Sequence, residues 1–295
     1  MKKISNLLMM ALLTVGMGLT SCDEMLDNAV VPGVTPEVDE KGEVTNIEFD
    51  LSKIDAKYLD SEKTKLKLTV GDVVTLSFTI LPEEAAGTEV ELTAGDATIL
   101  SIDGLKVTVL KAGETKVTAK AGDKTATCTV VVRVNLSAAT VGMFVGADGF
   151  AYASADDAVT AGTTAEAYIA YKSATTGASR AIALTNDVAF GTSWNTFNSN
   201  PSWNSTPNRT SIDNCTWQWP TKADFENMLA HLVTLSTDNG VLEDGCVYMS
   251  STTHEQQNDR FWNLFFKPSN SEIRLGHNYK NGGDLNRTVR AVLAF

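Results

Sequence analysis

The chain has 295 residues, enough for about two domains, and its 43% hydrophobic and 20% charged residues exclude wholesale disorder and a polytopic membrane protein. Lys and Arg total 24 against 36 Asp and Glu; the formal charge of −12, with no basic stripe to offset it, excludes nucleic acid as a partner. Four Cys and three His are too few and too scattered for a zinc cluster or a disulfide-dense miniature.

Lys2 and Lys3 begin a signal segment over residues 1–21, and Leu7 to Gly18 form its apolar stretch. That stretch is too short for a bilayer span, which needs about 20 residues. It closes with Leu19-Thr20-Ser21-Cys22, which resembles a bacterial lipobox, a Leu and two small residues before the Cys that is lipidated after cleavage. The resemblance implies a lipid on Cys22 and contact with a membrane through that anchor only. At about 0.8 kcal/mol per buried methylene, several acyl chains hold a protein permanently. An ordinary secretory signal with a Cys at its cleavage site is the alternative. Residues 22–44 read as an extended linker. Seven acids (Asp23, Glu24, Asp27, Glu37, Asp39, Glu40, Glu43) face one base, Lys41, and Pro32, Gly33 and Pro36 interrupt any regular pattern. Acids directly after the lipidated Cys resemble the surface-export signal of some diderm-bacterial lipoproteins. The implied location is the outer membrane of such a bacterium, facing the exterior, with a periplasmic spacer as the alternative.

From Asn46 to Val134 the pattern has period two. Lys65 to Val70 alternates, as do Val74-Leu76-Phe78-Ile80, Leu105-Val107-Val109 and Val117-Ala119, and Thr125 to Val134 is β-branched. Turns are signalled at Gly71-Asp72, Gly95-Asp96, Asp103-Gly104, Ala112-Gly113 and Gly122-Asp123. Short strands at roughly 10-residue spacing predict a β-sandwich over 45–135. The segment also resembles the group 2 bacterial immunoglobulin-like domain, through Leu68-Thr69-Val70-Gly71-Asp72, Ile80-Leu81-Pro82-Glu83-Glu84-Ala85, Leu110-Lys111-Ala112-Gly113-Glu114-Thr115 and the closing Thr-Val strand. Val90-Glu91-Leu92 stands where that family often has a Trp. Such domains act as stalks, and Cys128 reads as a buried thiol in a sandwich strand.

Composition changes again towards the C-terminus. Residues 47–193 contain two Asn, 194–286 contain fourteen, and all five Trp (Trp194, Trp203, Trp217, Trp219, Trp262) fall in the latter stretch. Rings beside amides suit a carbohydrate- or protein-binding face, and core Trp with turn Asn is the plainer alternative. Strands are predicted at Met143–Tyr152, Ala165–Tyr171, Ala181–Leu184, Cys246–Ser250, Phe261–Phe266, Glu272–Leu275 and Thr288–Phe295. Asp156-Asp157 reads as a solvated turn. Thr221 as N-cap with Asp224 at N3 opens a helix, and Phe225, Met228, Leu229 and Leu232 line one face of it. The run is an α+β unit over 136–295.

Four of its segments resemble bacterial C-type-lectin-like domains: Trp217 to Phe225 their W-R-L-P-T helix start, Tyr248-Met249-Ser250-Ser251-Thr252 their Y-W-S-S-T strand, Phe261 to Phe266 their A-W-N-V-x-F strand, and Val289-Arg290-Ala291-Val292 their closing V-R-x-V. Gln218, Trp219 and Met249 depart from the pattern. The expected fold is therefore multidomain, an all-β immunoglobulin-like sandwich followed by an α+β C-type-lectin-like domain, a layout similar to invasin and intimin adhesins on a lipid anchor.

No catalytic residue, metal site or cofactor is expected. His231 has no zinc-motif spacing around it, His254 and His277 lie in polar loop sequence, and Ser250-Ser251 lacks a nucleophile elbow. Pro268 and Trp262-Asn263 lack the neighbours that calcium-dependent lectins carry. Sulfatase-modifying enzymes of the lectin-like fold use a cysteine pair, but Cys215 and Cys246 fit a structural disulfide in an oxidising compartment better.

Alternation in Trp262-Asn263-Leu264-Phe265-Phe266 puts two sets of side chains on opposite faces. The lectin-like match places Trp262, Leu264 and Phe266 in the core, so Asn263, Phe265 and Lys267 point outward, with Arg260, Arg274, His277 and Tyr279 extending the same face. The alternative is that a Trp194–Trp203 loop covers that face. The expected function is a lipid-anchored, adhesin-like surface binding protein whose partner is a glycan or a host or neighbouring-cell protein. A structural or assembly lipoprotein without a dedicated ligand is the second reading. A variable target of a diversity-generating retroelement, with variation in 254–287, is a third; an enzyme is not expected.

Overall fold

The computed structural model describes residues 42–188, 191–199, 205–234, 241–281 and 286–295. The signal segment with Cys22, the linker up to Lys41, and Trp203 lie outside them. Among the described residues no helix is long and apolar enough to cross a membrane.

The first half is a two-layered β structure. Its strands are β1 (Asn46–Phe49), β2 (Leu66–Thr69), β3 (Val73–Thr75), β4 (Phe78–Leu81), β5 (Glu91–Ala94), β6 (Leu100–Asp103), β7 (Lys106–Val109), β8 (Gly113–Ala121) and β9 (Lys124–Asn135). One sheet runs β5-β8-β9 with β2 parallel to β9; β3-β7-β6 and the pair β1-β4 form two smaller sheets that share its core. Alternation explains the packing. In β8, Gly113, Thr115, Val117, Ala119 and Ala121 are buried while Glu114, Lys116 and Lys120 are exposed. Leu66, Leu68, Leu100, Val107, Val117, Val130 and Val132 meet in one core between the layers.

Strand β9 is different, because both of its faces are buried. Cys128, Val130 and Val132 enter the sandwich core. Val131, on the other face, packs against Tyr152, Ala158 and Ala161. The β-branched run Thr125–Val134 thus joins two cores rather than closing one.

The second half continues the same sheet. Met143–Tyr152 is not one strand but a hairpin, β10 (Phe144–Gly146) and β11 (Phe150–Tyr152), turning at Gly149 with φ of 80°. The β11 strand pairs with the end of β9, Ala151 opposite Val134. Asp148 fixes the turn, accepting from Arg133 at 3.0 Å and from the Tyr152 hydroxyl at 2.7 Å. A Cβ on Gly146 would lie 2.7 Å from Asp148 Oδ1 and 2.8 Å from the Tyr152 ring, so only glycine fits. Asp156 and Asp157 are not in a solvated turn; they open α1 (Ala155–Thr160), whose N-cap Ser154 accepts from the Asp157 N–H. Beyond β12 (Ala165–Tyr171), β13 (Arg180–Ala183) and α2 (Trp194–Ser199) come β14 (Thr216–Gln218), α3 (Lys222–Leu232), β15 (Cys246–Thr253), β16 (Arg260–Lys267), β17 (Glu272–Tyr279), β18 (Arg287–Thr288) and β19 (Val292–Ala294). Strands β12, β13, β19 and β14 extend the long sheet, and β17-β16-β15-β18 form a second. The predicted strand Thr288–Phe295 is interrupted at Val289–Ala291, where the chain passes from the second sheet to the first.

Helix α3 lies between these sheets. Phe225, Met228 and Leu232 pack on Tyr168 and Ile182 of the first sheet and on Tyr248, Leu264 and Phe266 of the second. Its start has the predicted Thr221–Asp224 capping box: the Thr221 N–H donates to Asp224 Oδ2 at 2.8 Å and the Asp224 N–H to Thr221 Oγ1 at 3.2 Å. Asp224 Oδ1 also accepts from Arg180 Nε at 2.6 Å, bolting the helix start to β13. Arg290, 3% exposed, performs a similar task, donating to Asn186, Glu243 and the carbonyls of Ala183 and Val241.

The expected Cys215–Cys246 disulfide is not formed; both residues, like Cys128, are free thiols. Cys246 packs in the α3 core with Ile182 and Val292, whereas Cys215 packs with Ala181 and Leu293. Those neighbours are successive residues of β13 and β19, pointing to opposite faces, so the sheet stands between the two sulfurs.

Replacing Asp224 by Ala removes the cap and leaves the guanidinium of Arg180 without its carboxylate. Urea unfolding should show a loss of about 2–4 kcal/mol, and Asp224→Asn, which keeps the cap acceptor, a smaller one.

Candidate ligand-binding face

The β16–β17 hairpin carries all seven residues named by sequence, and its register sorts them. Arg260 stands opposite Tyr279, Trp262 opposite His277, Leu264 opposite Leu275, Phe265 opposite Arg274, and Lys267 opposite Glu272. Residues two apart share a face. Arg260, Trp262, His277 and Tyr279 therefore lie on one side, and Asn263, Phe265, Lys267 and Arg274 on the other.

On the first side, α3 covers Leu264 and Phe266 but ends before Trp262. The alternation of the strand is as predicted, yet Trp262 is not core. It is half-buried, with His254 stacked at 5.0 Å between centroids and the Lys222 ammonium 4.1 Å from the ring centre. Its indole N–H donates to Glu255 Oε2 at 3.0 Å, and Lys222 donates to Glu255 Oε1 at 3.2 Å. A backbone N–H first, and then these two side-chain bonds, hold the Glu255 carboxyl down at about 2. His277 meets His254 edge to face at 4.6 Å. Arg260 lies over the ring of Tyr279 at 4.2 Å, donating to the Tyr279 hydroxyl at 2.8 Å and to His277 Nδ1 at 3.0 Å. Tyr279 is 54% exposed, the largest exposed ring among the described residues. The structure thus gathers rings and cations from β16, β17, the β15–β16 loop and the start of α3 into one outward cluster.

The second side differs from expectation. Asn263 does not point into solvent; it is 2% exposed. Its neighbour on that face, Phe261, is buried under Trp194, the rings stacked at 6.1 Å, with Met249 and Val289 alongside. That is the part of the covering segment within the described residues. Phe265 is half-buried beneath the exposed Arg274, whose guanidinium sits 5.3 Å from the ring centre. Lys267 is half-buried at the far end of the strand.

Sequence reasoning left out Trp262, His254, Lys222 and Glu255 from this face. The signal lay in the pairs Arg260-x-Trp262 and His277-x-Tyr279, which an antiparallel register brings opposite each other. A cleft of about 540 Å³ lies elsewhere, between Asn135, Asp148, Phe150, Lys172, Asp213 and Phe295. Two of its charged groups are engaged internally, Asp148 by Arg133 and Tyr152, and Lys172 by the Leu136 carbonyl at 2.6 Å. No group of three or more metal-ligating side chains occurs among the described residues.

No protein-family model and no curated relative matches the chain. Among solved structures it is similar to an intimin C-terminal fragment in complex with the intimin-binding domain of the translocated intimin receptor, at 12% identity over 84% of this chain and 67% of that one, TM-score 0.23. Domains 4 and 5 of the S-layer protein SbsC match at 18% identity over 30% of this chain and 52% of theirs, TM-score 0.23. A GH10 xylanase from termite gut containing a bacterial Ig-like domain matches at 22% identity over 22% of this chain, which spans only 18% of its length, TM-score 0.19. At these scores the architecture rests on the strand order and cores described above.

Burial, His254 and the Arg260 charge together hold His277 below its ordinary value of 6.5. The neutral ring is the native form, so its contribution to stability is present above 6.5 and declines as pH falls through that value, where the unfolded chain takes up the proton first. An NMR titration should place the His277 midpoint below 6.5, and Arg260→Met should raise it.

Proposed function

We propose that this chain is a lipid-anchored, adhesin-like surface protein, without catalytic activity, that presents the outer end of its β16–β17 hairpin to a glycan or protein on another surface. The observation that carries the reading is the cluster of Arg260, Trp262, His277 and Tyr279. Rings and guanidinium groups are the side chains that dominate recognition interfaces, and here they are held in place by bonds to one another rather than left mobile. The lipobox ending at Cys22 and the acidic stretch behind it supply the surface setting. The sandwich half supplies a stalk, and the four lectin-like motifs, one of which opens α3 and another of which lies in β16, support a recognition role for the other half. Phe265 and Arg274 on the reverse side belong to the edge of the same hairpin and are secondary contacts.

Full-length protein applied to glycan arrays and to host or neighbouring cells should bind, and the double variant Arg260→Ala, Tyr279→Ala should bind at least about tenfold more weakly. Its melting temperature should stay within about 2 °C of the parent, since both side chains lie outside the cores. Unchanged binding by the double variant would show that the ligand meets a different face.

A further inference from the structure

The hydrogen bonds of the cluster narrow the chemistry of its ligand. Four arginines elsewhere in the chain, Arg133, Arg180, Arg209 and Arg290, meet carboxylates at 2.6–3.1 Å. Arg260 meets none among the described residues. Its two bonds go to neutral acceptors, His277 Nδ1 and the Tyr279 hydroxyl, leaving three of its five N–H groups unused by them. Arginine cannot accept, so His277 Nδ1 must, and the ring proton sits on Nε2. His254 is fixed in the same tautomer, because its Nδ1 accepts from the backbone N–H of Gln256 at 3.2 Å. The Tyr279 oxygen accepts from Arg260, which frees its own proton to donate. The remaining capacity of this face is therefore donors: guanidinium N–H, two imidazole Nε2–H and a phenol O–H. The one carboxylate within the cluster, Glu255, is spent on Trp262 and Lys222.

Donors without acceptors fit an anionic oxygen group. Its extent is also limited. Glu255 and Glu226 flank Lys222 beside the cluster, so an extended polyanion or an acidic peptide would run from Arg260 onto like charge. One negative group with a neutral remainder does not. Arg260 occupies one face of the Tyr279 ring, and the rest of this exposed side chain, next to the donors, offers a plate for the C–H face of a pyranose.

Resting on the reading of this face as the binding face, we propose that it takes the single carboxylate of an acidic terminal saccharide, of the uronic or sialic type. Arg260 clamps the carboxylate and Tyr279 lies under the sugar ring.

Calorimetry on the full chain tests this with 3′-sialyllactose, a glucuronic-acid-terminated disaccharide, lactose, and a decapeptide rich in Glu. At least one acidic sugar should bind about tenfold or more tightly than lactose. Arg260→Gln should erase that preference, Arg260→Lys should keep part of it, and Glu255→Gln should strengthen acidic-sugar binding. Equal affinity for acidic and neutral sugars, a preference that survives Arg260→Gln, or tighter binding of the peptide would overturn the proposal. If neither acidic sugar binds while Arg260→Ala, Tyr279→Ala still abolishes adhesion, the carboxylate assignment falls and the face stands. If that double variant adheres normally, the face itself falls and the carboxylate with it.

Discussion

Two cores meet on Lys124–Asn135, and the rest of the described structure is arranged around that strand. Cys128, Val130 and Val132 fill the sandwich, while Val131 packs on Tyr152 and α1. Burying one valine contributes roughly 1.5–3 kcal/mol, and here consecutive residues do so in opposite directions. The sheet then runs on through β11, so the passage from sandwich to C-terminal half is made by backbone pairing and not by a free linker. Arg133 reinforces it, bonded to Asp148 and lying 3.6 Å from the centre of the Phe150 ring.

Within the C-terminal half, buried guanidinium groups take the place that a disulfide was expected to fill. Arg180 ties β13 to the start of α3, Arg290 ties the last segment to the loops at Asn186, Val241 and Glu243, and Arg209 grips Asp187 through two bonds of 2.8 Å. Asp187 in turn accepts from the Ala291 N–H at 2.7 Å. Each charge is matched by a carboxylate or by several carbonyls, the condition under which burying an ion pair is tolerated. These ties set where α3 begins relative to the second sheet. Because the helix starts at Lys222, it roofs Leu264 and Phe266 and leaves Trp262 beyond its end.

The cluster on the hairpin is the consequence. Where α3 stops, the same face that is core further along the strand becomes surface, and its residues change from Leu264 and Phe266 to Trp262 and Arg260. The aromatic and cationic side chains there neutralise one another only in part: Lys222 has two carboxylates, while Arg260 leans on a ring and two neutral acceptors. In a chain of net charge −12, Arg260 is thus a cation without a carboxylate of its own among the described residues, with Lys222 and its partners Glu226 and Glu255 beside it.

Local pattern alone specified a good deal. The alternation of β8, the Thr221–Asp224 capping box with its apolar stripe, and the opposite sidedness of Leu264 and Phe265 are all legible because each depends on residues within a turn or a strand of one another. What the sequence could not specify involves partners far apart in the chain. That Asn263 is buried depends on what lies over its face, where Trp194 covers the adjoining Phe261. That Cys215 and Cys246 stay apart follows from β13 and β19 lying between them. Asp156 and Asp157 open a helix, since Ala158 and Ala161 are needed against Val131. Above all, the pairing of Arg260 with Tyr279 and of Trp262 with His277 is a matter of register. Period two says which side chains share a face within one strand. Only the packing of separate segments decides which strands lie opposite, and at which residue the covering helix ends.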